Sequence, residues 1–170
     1  RGLMLDVSRH FSTVDEVKRF IDLLALHQLN VFHWHLTDDQ GWRIEIKKHP
    51  ELTKIGAWRE NTIVGRYVGG LDYPTDGKPH GGYYTQEQMR ELVSFAAKYH
   101  VQVVPEIEMP GHEVAAISVY PELTCHGVQV PIRTTCGVSD ELLCPGNEFT
   151  YEFLGNVFKE LADVFPSPYI

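Results

Sequence analysis

Residues 30–42 read Asn-Val-Phe-His-Trp-His-Leu-Thr-Asp-Asp-Gln-Gly-Trp. Val31, Phe32, Trp34 and Leu36 supply strand-forming bulk, and a period of two puts His33 and His35 on one face. Asp38 and Asp39 follow directly. Two imidazoles and two carboxylates beside tryptophan need partners, because a polar group buried without one costs a few kcal/mol. The stretch therefore reads as a strand that ends in a site.

Working outward, residues 2–8 alternate Leu3, Leu5 and Val7 with Met4, Asp6 and Ser8, a strand that ends at Arg9-His10. Between the two strands Thr13 and Glu16 form a capping-box pair, and Val14, Val17, Ile21 and Leu24 recur at helical spacing to about residue 29. A long segment, 37–82, is punctuated by Gly69-Gly70, Pro74, Asp76-Gly77, Pro79 and Gly81-Gly82, and loops of that length are usually functional. Thr85 with Gln88 then caps a helix whose buried stripe is Met89, Leu92, Val93 and Ala96, running to about residue 99. Val101, Val103 and Val104 lead through Pro105 into Glu106-Ile107-Glu108-Met109-Pro110-Gly111-His112. A second long loop carries the cysteines. Leu154, Val157, Phe158 and Leu161 mark a helix over about 150–165, and Tyr169-Ile170 reads as the beginning of a fourth strand.

Strands and helices that alternate in this way are successive right-handed crossovers, and hence a parallel sheet. Open doubly wound sheets and (β/α)8 TIM barrels both place their sites at strand carboxyl ends, where every polar cluster here falls. No Gly-x-Gly-x-x-Gly turn follows the first strand, which disfavours a nucleotide cofactor and favours the barrel. A typical barrel takes about 250 residues. The expectation is therefore an α/β chain in which residues 1–170 are a partial catalytic (β/α)8 barrel domain, covering roughly its first half: three βα units and the start of strand 4.

The 170 residues are 43% hydrophobic and 22% charged, the composition of an ordinary globular domain with one sizeable core. A formal net charge of −8, with Lys47-Lys48 no more than a pair, leaves nothing to neutralise phosphates and excludes a nucleic-acid footprint. No apolar run approaches the ~20 residues of a membrane span, and no signal-peptide pattern opens the chain, whose natural start is expected elsewhere. Cys125, Cys136 and Cys144 form no Cys-x-x-Cys pair. One local disulfide with a free thiol and three reduced cysteines both remain open.

At the strand ends, Arg9 offers a guanidinium fork for neighbouring hydroxyls or a carboxylate, or else an ion pair with Asp6 or Asp38. His33 and His35 with Asp38 or Asp39 read as a divalent-metal site or as hydrogen-bonded wall residues. His112, after Pro110-Gly111, is held at a strand mouth and, paired with Asp38, becomes an oriented imidazole able to tune a neighbouring acid. Glu106 and Glu108 share a face and read as a catalytic pair or, more cheaply, as members of simple salt bridges. Trp34, Trp42 and Trp58 read as core or as sugar-stacking platforms, the first two the better placed to stack.

Four ordered motifs carry a resemblance. Arg1-Gly-Leu-Met-Leu-Asp-Val-Ser-Arg-His-Phe11, Asn30-Val-Phe-His-Trp-His-Leu-Thr-Asp-Asp39, Pro105-Glu-Ile-Glu-Met-Pro-Gly-His112 and Thr150-Tyr-Glu-Phe-Leu154 resemble successive motifs of the family-20 glycoside hydrolases, the β-N-acetylhexosaminidases. The resemblance implies a TIM barrel that removes terminal non-reducing β-linked N-acetylglucosamine or N-acetylgalactosamine from oligosaccharides or glycoconjugates, with no cofactor and no metal. It implies substrate-assisted retention: a glutamic acid protonates the leaving oxygen, and the sugar's own acetamido oxygen, oriented by an aspartate, attacks the anomeric carbon. By the same resemblance Arg9 holds the O3 and O4 hydroxyls, and Asp38 and His112 form a supporting relay behind the acid. His35, Trp34, Asp39 and Glu108 join Arg9 on the substrate side.

One departure bears on activity. The family's His-x-Gly-Gly-Asp-Glu motif, which carries the catalytic Asp-Glu pair, does not occur in these 170 residues. The isolated chain is expected to be inactive and to self-associate through open sheet edges, and the family implies a secreted, periplasmic or lysosomal enzyme. Two rivals stand beside this reading: a metal-dependent barrel hydrolase using His33, His35 and Asp38, and a non-catalytic sugar-binding module.

Overall fold

The computed structural model describes residues 1–66, 73–135 and 137–170; Gly69-Gly70 and Cys136 lie outside them. Its frame is a parallel sheet of β1 (Gly2–Asp6), β2 (Val31–His35) and a third long strand, Gln102–Glu106, with β2 in the centre. Helix α1 (Val14–Leu26) crosses from β1 to β2. Its Thr13 and Glu16 side chains cap reciprocally, satisfying N–H groups that have no partner within the helix. It stops earlier than the hydrophobic spacing predicts because Gln28 turns left-handed (φ 57°) and Leu29 N–H closes back on the Leu24 carbonyl.

The crossover from β2 to the third long strand is not bare loop. It holds a hairpin of β3 (Thr37–Asp38) and β4 (Gly41–Trp42), the short helix α2 (Glu51–Lys54), and a second hairpin of β5 (Trp58–Arg59) and β6 (His80–Gly81). Helix α3 (Gln86–Ala97) follows, with the Thr85 and Gln88 capping box, and leads into the third long strand, β7 (Gln102–Glu106). After β7 come α4 (Val114–Ile117), a 3-10 turn and α5 (Glu148–Val164), which starts before residue 150 because Asn147 caps it. Among the described residues no helix is long and apolar enough to cross a membrane.

The core lies between the sheet and helices α1, α3 and α5. Val17, Ile21 and Leu24, Phe32 and Trp34, Met89, Leu92 and Ala96, and Phe153, Val157 and Leu161 are all buried. Burying each such side chain stabilises by about 1.5–3 kcal/mol. The opposite face is half open: Met4 is 47% exposed. Cys125 and Cys144 are joined by a disulfide, which decides the cysteine question for those two and closes the loop between the 3-10 turn and α5.

The expected start of a fourth strand is not borne out among the described residues. Tyr169 and Ile170 are exposed and form no ladder, and the Tyr169 N–H bonds instead to Ser167 Oγ. A strand is stabilised by pairing, and here no neighbour supplies it.

Candidate active site

The parallel register brings the chemistry to one end. Asp6, His35 and Glu106 are Cα partners across β1, β2 and β7, so three ionisable side chains stand in one row at the strand carboxyl ends. The β3–β4 hairpin then folds Asp38 back over that row. Glycine is needed at 41, because a Cβ there would lie 2.3 Å from the Arg43 guanidinium. Ser8 Oγ donates to the Gly41 carbonyl at 2.6 Å and ties the hairpin to the end of β1.

Asp38 is fully buried and is the hub of the cluster. Its Oδ2 accepts from Arg9 Nη2 at 2.6 Å and from His35 Nε2 at 2.9 Å, and its Oδ1 accepts from the Asp39 N–H at 2.7 Å. Burial would raise its pKa, but the bonds from His35 and the Asp39 N–H and the charge of Arg9 hold it below the usual carboxylate value. Asp38 is therefore ionised at neutral pH. Arg9 also reaches Asp6 at 2.6 Å, yet its side chain stays 41% exposed and presents charge to the space above the sheet.

His112 closes the other side. Its Nδ1 lies 3.2 Å from Asp38 Oδ1 and 3.5 Å from Asp39 Oδ2, close enough for charge but off the line that a hydrogen bond needs. It follows the cis Met109-Pro110 bond and is left-handed, φ 57°, a conformation that costs an L-residue about 1–2 kcal/mol. Asp39 anchors this turn: it accepts from the Val114 N–H at the start of α4 at 3.3 Å and pairs with Arg133 at 3.3 Å.

His35 is clamped between two carboxylates, Asp38 at 2.9 Å and Glu106 at 2.6 Å. Burial pushes its pKa down, and those two hydrogen bonds more than reverse the effect, raising it to about 9. Because the folded value lies above the unfolded one of ~6.5, this stabilisation is fully present below ~pH 6.5 and is lost as pH rises through about 9. Unfolding midpoints should fall between pH 6.5 and 9.5 by an amount equivalent to about 2–3 kcal/mol, and His35→Gln should flatten that slope. A slope unchanged in the variant would remove His35 as its source.

A buried ionised aspartate, gripped by a half-exposed arginine and approached by an imidazole at the mouth of a parallel sheet, is the setting in which the family comparison is decisive. The model described as glycosyl hydrolase family 20, catalytic domain, matches residues 1–170. The chain belongs to glycosyl hydrolase family 20. It is 47% identical over 171 residues to a beta-hexosaminidase of Vibrio furnissii, covering 100% of this chain and 27% of that protein. It is 43% identical over 169 residues to a beta-hexosaminidase of Porphyromonas gingivalis, covering 99% and 20%. A Streptomyces plicatus N-acetyl-beta-hexosaminidase solved in complex with thio-NAglucal matches with a TM-score of 0.83 at 46% identity, over 98% of this chain and 30% of that one. The chain thus spans less than a third of each of these proteins. The family-20 hexosaminidase structures are TIM barrels, and the unclosed α/β sheet seen here is consistent with part of one.

Of the site residues read from the family-20 sequence, the fold brings Arg9, His35, Asp38, Asp39, Glu108 and His112 together. Trp34 is a correction. It is 0% exposed, on the face opposite His35, with its ring packed against Phe32, Tyr84 and Phe165, so it cannot stack on a sugar. Trp42 is likewise buried, against Phe153, while Trp58 is exposed. Glu106 does not act as one of a carboxylate pair: its Oε2 is held by His33 and His35, both at 2.6 Å. That also counts against the metal reading of His33, His35 and Asp38. Both ring nitrogens of His35 are engaged by carboxylates, Glu106 and Asp38.

Sequence reasoning missed Glu113. It is 1% exposed, and neither carboxyl oxygen has a partner among the described residues. Burial first, then the charges of Glu108, Asp38 and Asp39, raise its pKa well above the ordinary carboxyl value. With the folded pKa raised, stability falls as pH climbs above the unfolded value of ~4.3. Glu113→Gln, uncharged at every pH, is therefore expected to raise the unfolding midpoint at pH 8 more than at pH 4, and an equal shift at both would show that Glu113 carries no such penalty.

Proposed function

We propose that the protein to which these 170 residues belong removes terminal non-reducing β-linked N-acetylglucosamine or N-acetylgalactosamine by substrate-assisted retention. The observation that carries the reading is Asp38, ionised and buried, with Arg9 on one side and His112 3.2 Å away on the other. The names of the family-20 relatives, and the thio-NAglucal and N-acetylglucosamine complexes of the Streptomyces plicatus enzyme, support the substrate class. In this mechanism Arg9 grips the O3 and O4 hydroxyls. Asp38 and His112 stand in series behind the general acid, whose proton goes to the leaving oxygen as the acetamido oxygen closes on the anomeric carbon. His35, Asp39 and Glu108 keep that relay and the arginine in place.

These residues would then be the first half of a (β/α)8 barrel, three βα units long. The catalytic Asp-Glu pair falls outside them, and the isolated chain, with β1 and β7 as open edges, would self-associate without turning over substrate. The Cys125–Cys144 disulfide suits an oxidising compartment, whether secreted, periplasmic or lysosomal.

The test is hydrolysis of 4-nitrophenyl N-acetyl-β-glucosaminide by the 170-residue chain and by the full-length enzyme, with sedimentation of the chain at micromolar concentration. Turnover is expected from the full-length enzyme alone. Turnover by the chain would place the acid within it, and a clean monomer would remove the self-association.

A further inference from the structure

Beside Arg9 lies a cavity of about 120 Å³, walled by Arg9, Gln40, Arg59, Thr62, Thr134 and Thr135. Arg59 is 5% exposed, yet among the described residues no carboxylate stands within ion-pair distance of it. Its contacts are neutral: the Thr62 hydroxyl at 3.1 and 3.3 Å and the Gln40 carbonyl at 3.4 Å. A guanidinium carries five N–H donors, so part of the fork is unspent. Gln40 is 4% exposed; its Nε2 donates to the Thr135 carbonyl at 2.8 Å, and its buried Oε1 has no donor among the described residues.

The surroundings are electropositive. Arg43 is fully buried and its guanidinium is repelled by that of Arg59, while His80 is pushed down to about 4 by burial and then by Arg59, His10 and Arg43. That corner is built inside a chain of formal net charge −8. Burial pulls the Arg59 pKa down, and the nearby charge of Asp76 offsets that only in part; a buried cation with no carboxylate paired to it among the described residues is costly to keep, and a ligand anion would lower the cost. At about 120 Å³ the cavity has room for a substituent group such as a sulfate or a carboxylate.

We propose that this cavity is a subsite for an anionic substituent, a sulfate ester or an ether-linked carboxylate, on the O3/O4 edge of the sugar held at Arg9. The inference rests on the proposed function, because the resemblance places that edge at Arg9. Arg59 supplies the charge-assisted hydrogen bonds, and Gln40 Oε1 accepts a hydrogen bond from a sugar hydroxyl.

The experiment uses the full-length enzyme. Inhibition of 4-nitrophenyl N-acetyl-β-glucosaminide hydrolysis is measured with N-acetylglucosamine, N-acetylgalactosamine, N-acetylgalactosamine 4-sulfate and N-acetylmuramic acid, in wild type and in Arg59→Gln. An anionic sugar is expected to inhibit about tenfold more tightly than its neutral parent, the scale of one charge-assisted hydrogen bond. Taken as a ratio within each protein, the advantage should vanish in Arg59→Gln, and in wild type it should shrink with added salt, which keeps the test open even where the variant folds poorly. An advantage for the sulfate alone assigns the ester; one for the muramic acid alone assigns the carboxylate. No advantage in wild type, or one unchanged in the variant, overturns the subsite while leaving the proposed function standing. No hydrolysis of the neutral substrate by wild type overturns both.

Discussion

Asp38→Ala is expected to destabilise the fold by about 3–5 kcal/mol, the range found when one partner of a buried ion pair is deleted. The reason lies in what is left behind. Arg9 Nη2 and His35 Nε2 lose an acceptor at 2.6 and 2.9 Å, and the Asp39 N–H loses the Oδ1 that caps it at 2.7 Å. Without Asp38 the imidazole of His35 keeps only Glu106, so its raised pKa should drop back and the alkaline loss of stability should move to lower pH. Asp38→Asn keeps the volume and one acceptor oxygen and should cost less in stability. In the full-length enzyme both variants should lose about 10²–10⁴ in kcat, the span of general acid–base assistance, because His112 would lose the carboxylate at 3.2 Å and keep only that of Asp39 at 3.5 Å. Urea unfolding and single-turnover hydrolysis measure the two effects separately. An Asp38→Ala chain within about 1 kcal/mol of wild type would show that Asp38 does not hold the cluster together.

Much of this site could be read along the chain because its geometry is a consequence of register. Once the runs at residues 2–8, 30–36 and 101–106 are taken as parallel neighbours, Asp6, His35 and Glu106 fall into a row with no further information. The two capping boxes were equally legible, since Thr13 with Glu16 and Thr85 with Gln88 use chemistry confined to four consecutive positions. The misplacement of Trp34 was avoidable. The same period of two that pairs His33 with His35 sends Trp34 to the opposite face, and the structure puts it there, against Tyr84 and Phe165. Glu113 was not legible. In the run Gly-His-Glu it looks like an exposed loop residue, and its burial is decided by α4, a four-residue helix too short to announce itself by periodicity. Nor did anything local reveal the β5–β6 hairpin inside 37–82, whose strands pair across some twenty residues. Arg59 and Arg43 belong to that same class.

Arg43 leads to the second large effect. Its side chain is 0% exposed, and it donates to four backbone carbonyls: Val7 at 3.0 Å, Ser8 at 2.6 Å, Ala57 at 2.5 Å and Gly82 at 3.1 Å. Those carbonyls belong to the end of β1 and to the two sides of the β5–β6 hairpin, so one guanidinium joins the sheet to the long crossover. Phe11 lies 5.9 Å from its centre and adds an aromatic contact. Burial and the charge of Arg59 pull its pKa down to about 9, so it is still charged at neutral pH and depends on the carbonyls to offset its desolvation. Arg43→Ala should cost about 3–5 kcal/mol, since it strips three buried acceptors and a part-buried one of their donor, at about 1–3 kcal/mol for each buried one before relaxation, and opens a void beside Gly41. Arg43→Lys should recover only part, because an ammonium cannot reproduce the planar fork that reaches carbonyls on three segments. Arg90→Ala, on the surface of α3, is the control. The expected pattern in urea unfolding is Ala far below Lys, and Lys below wild type, with amide exchange at residues 57–59 and 80–82 accelerating before that of β2. If Arg43→Ala instead matched the surface control within about 1 kcal/mol, the crossover would be held to the sheet by something other than this guanidinium.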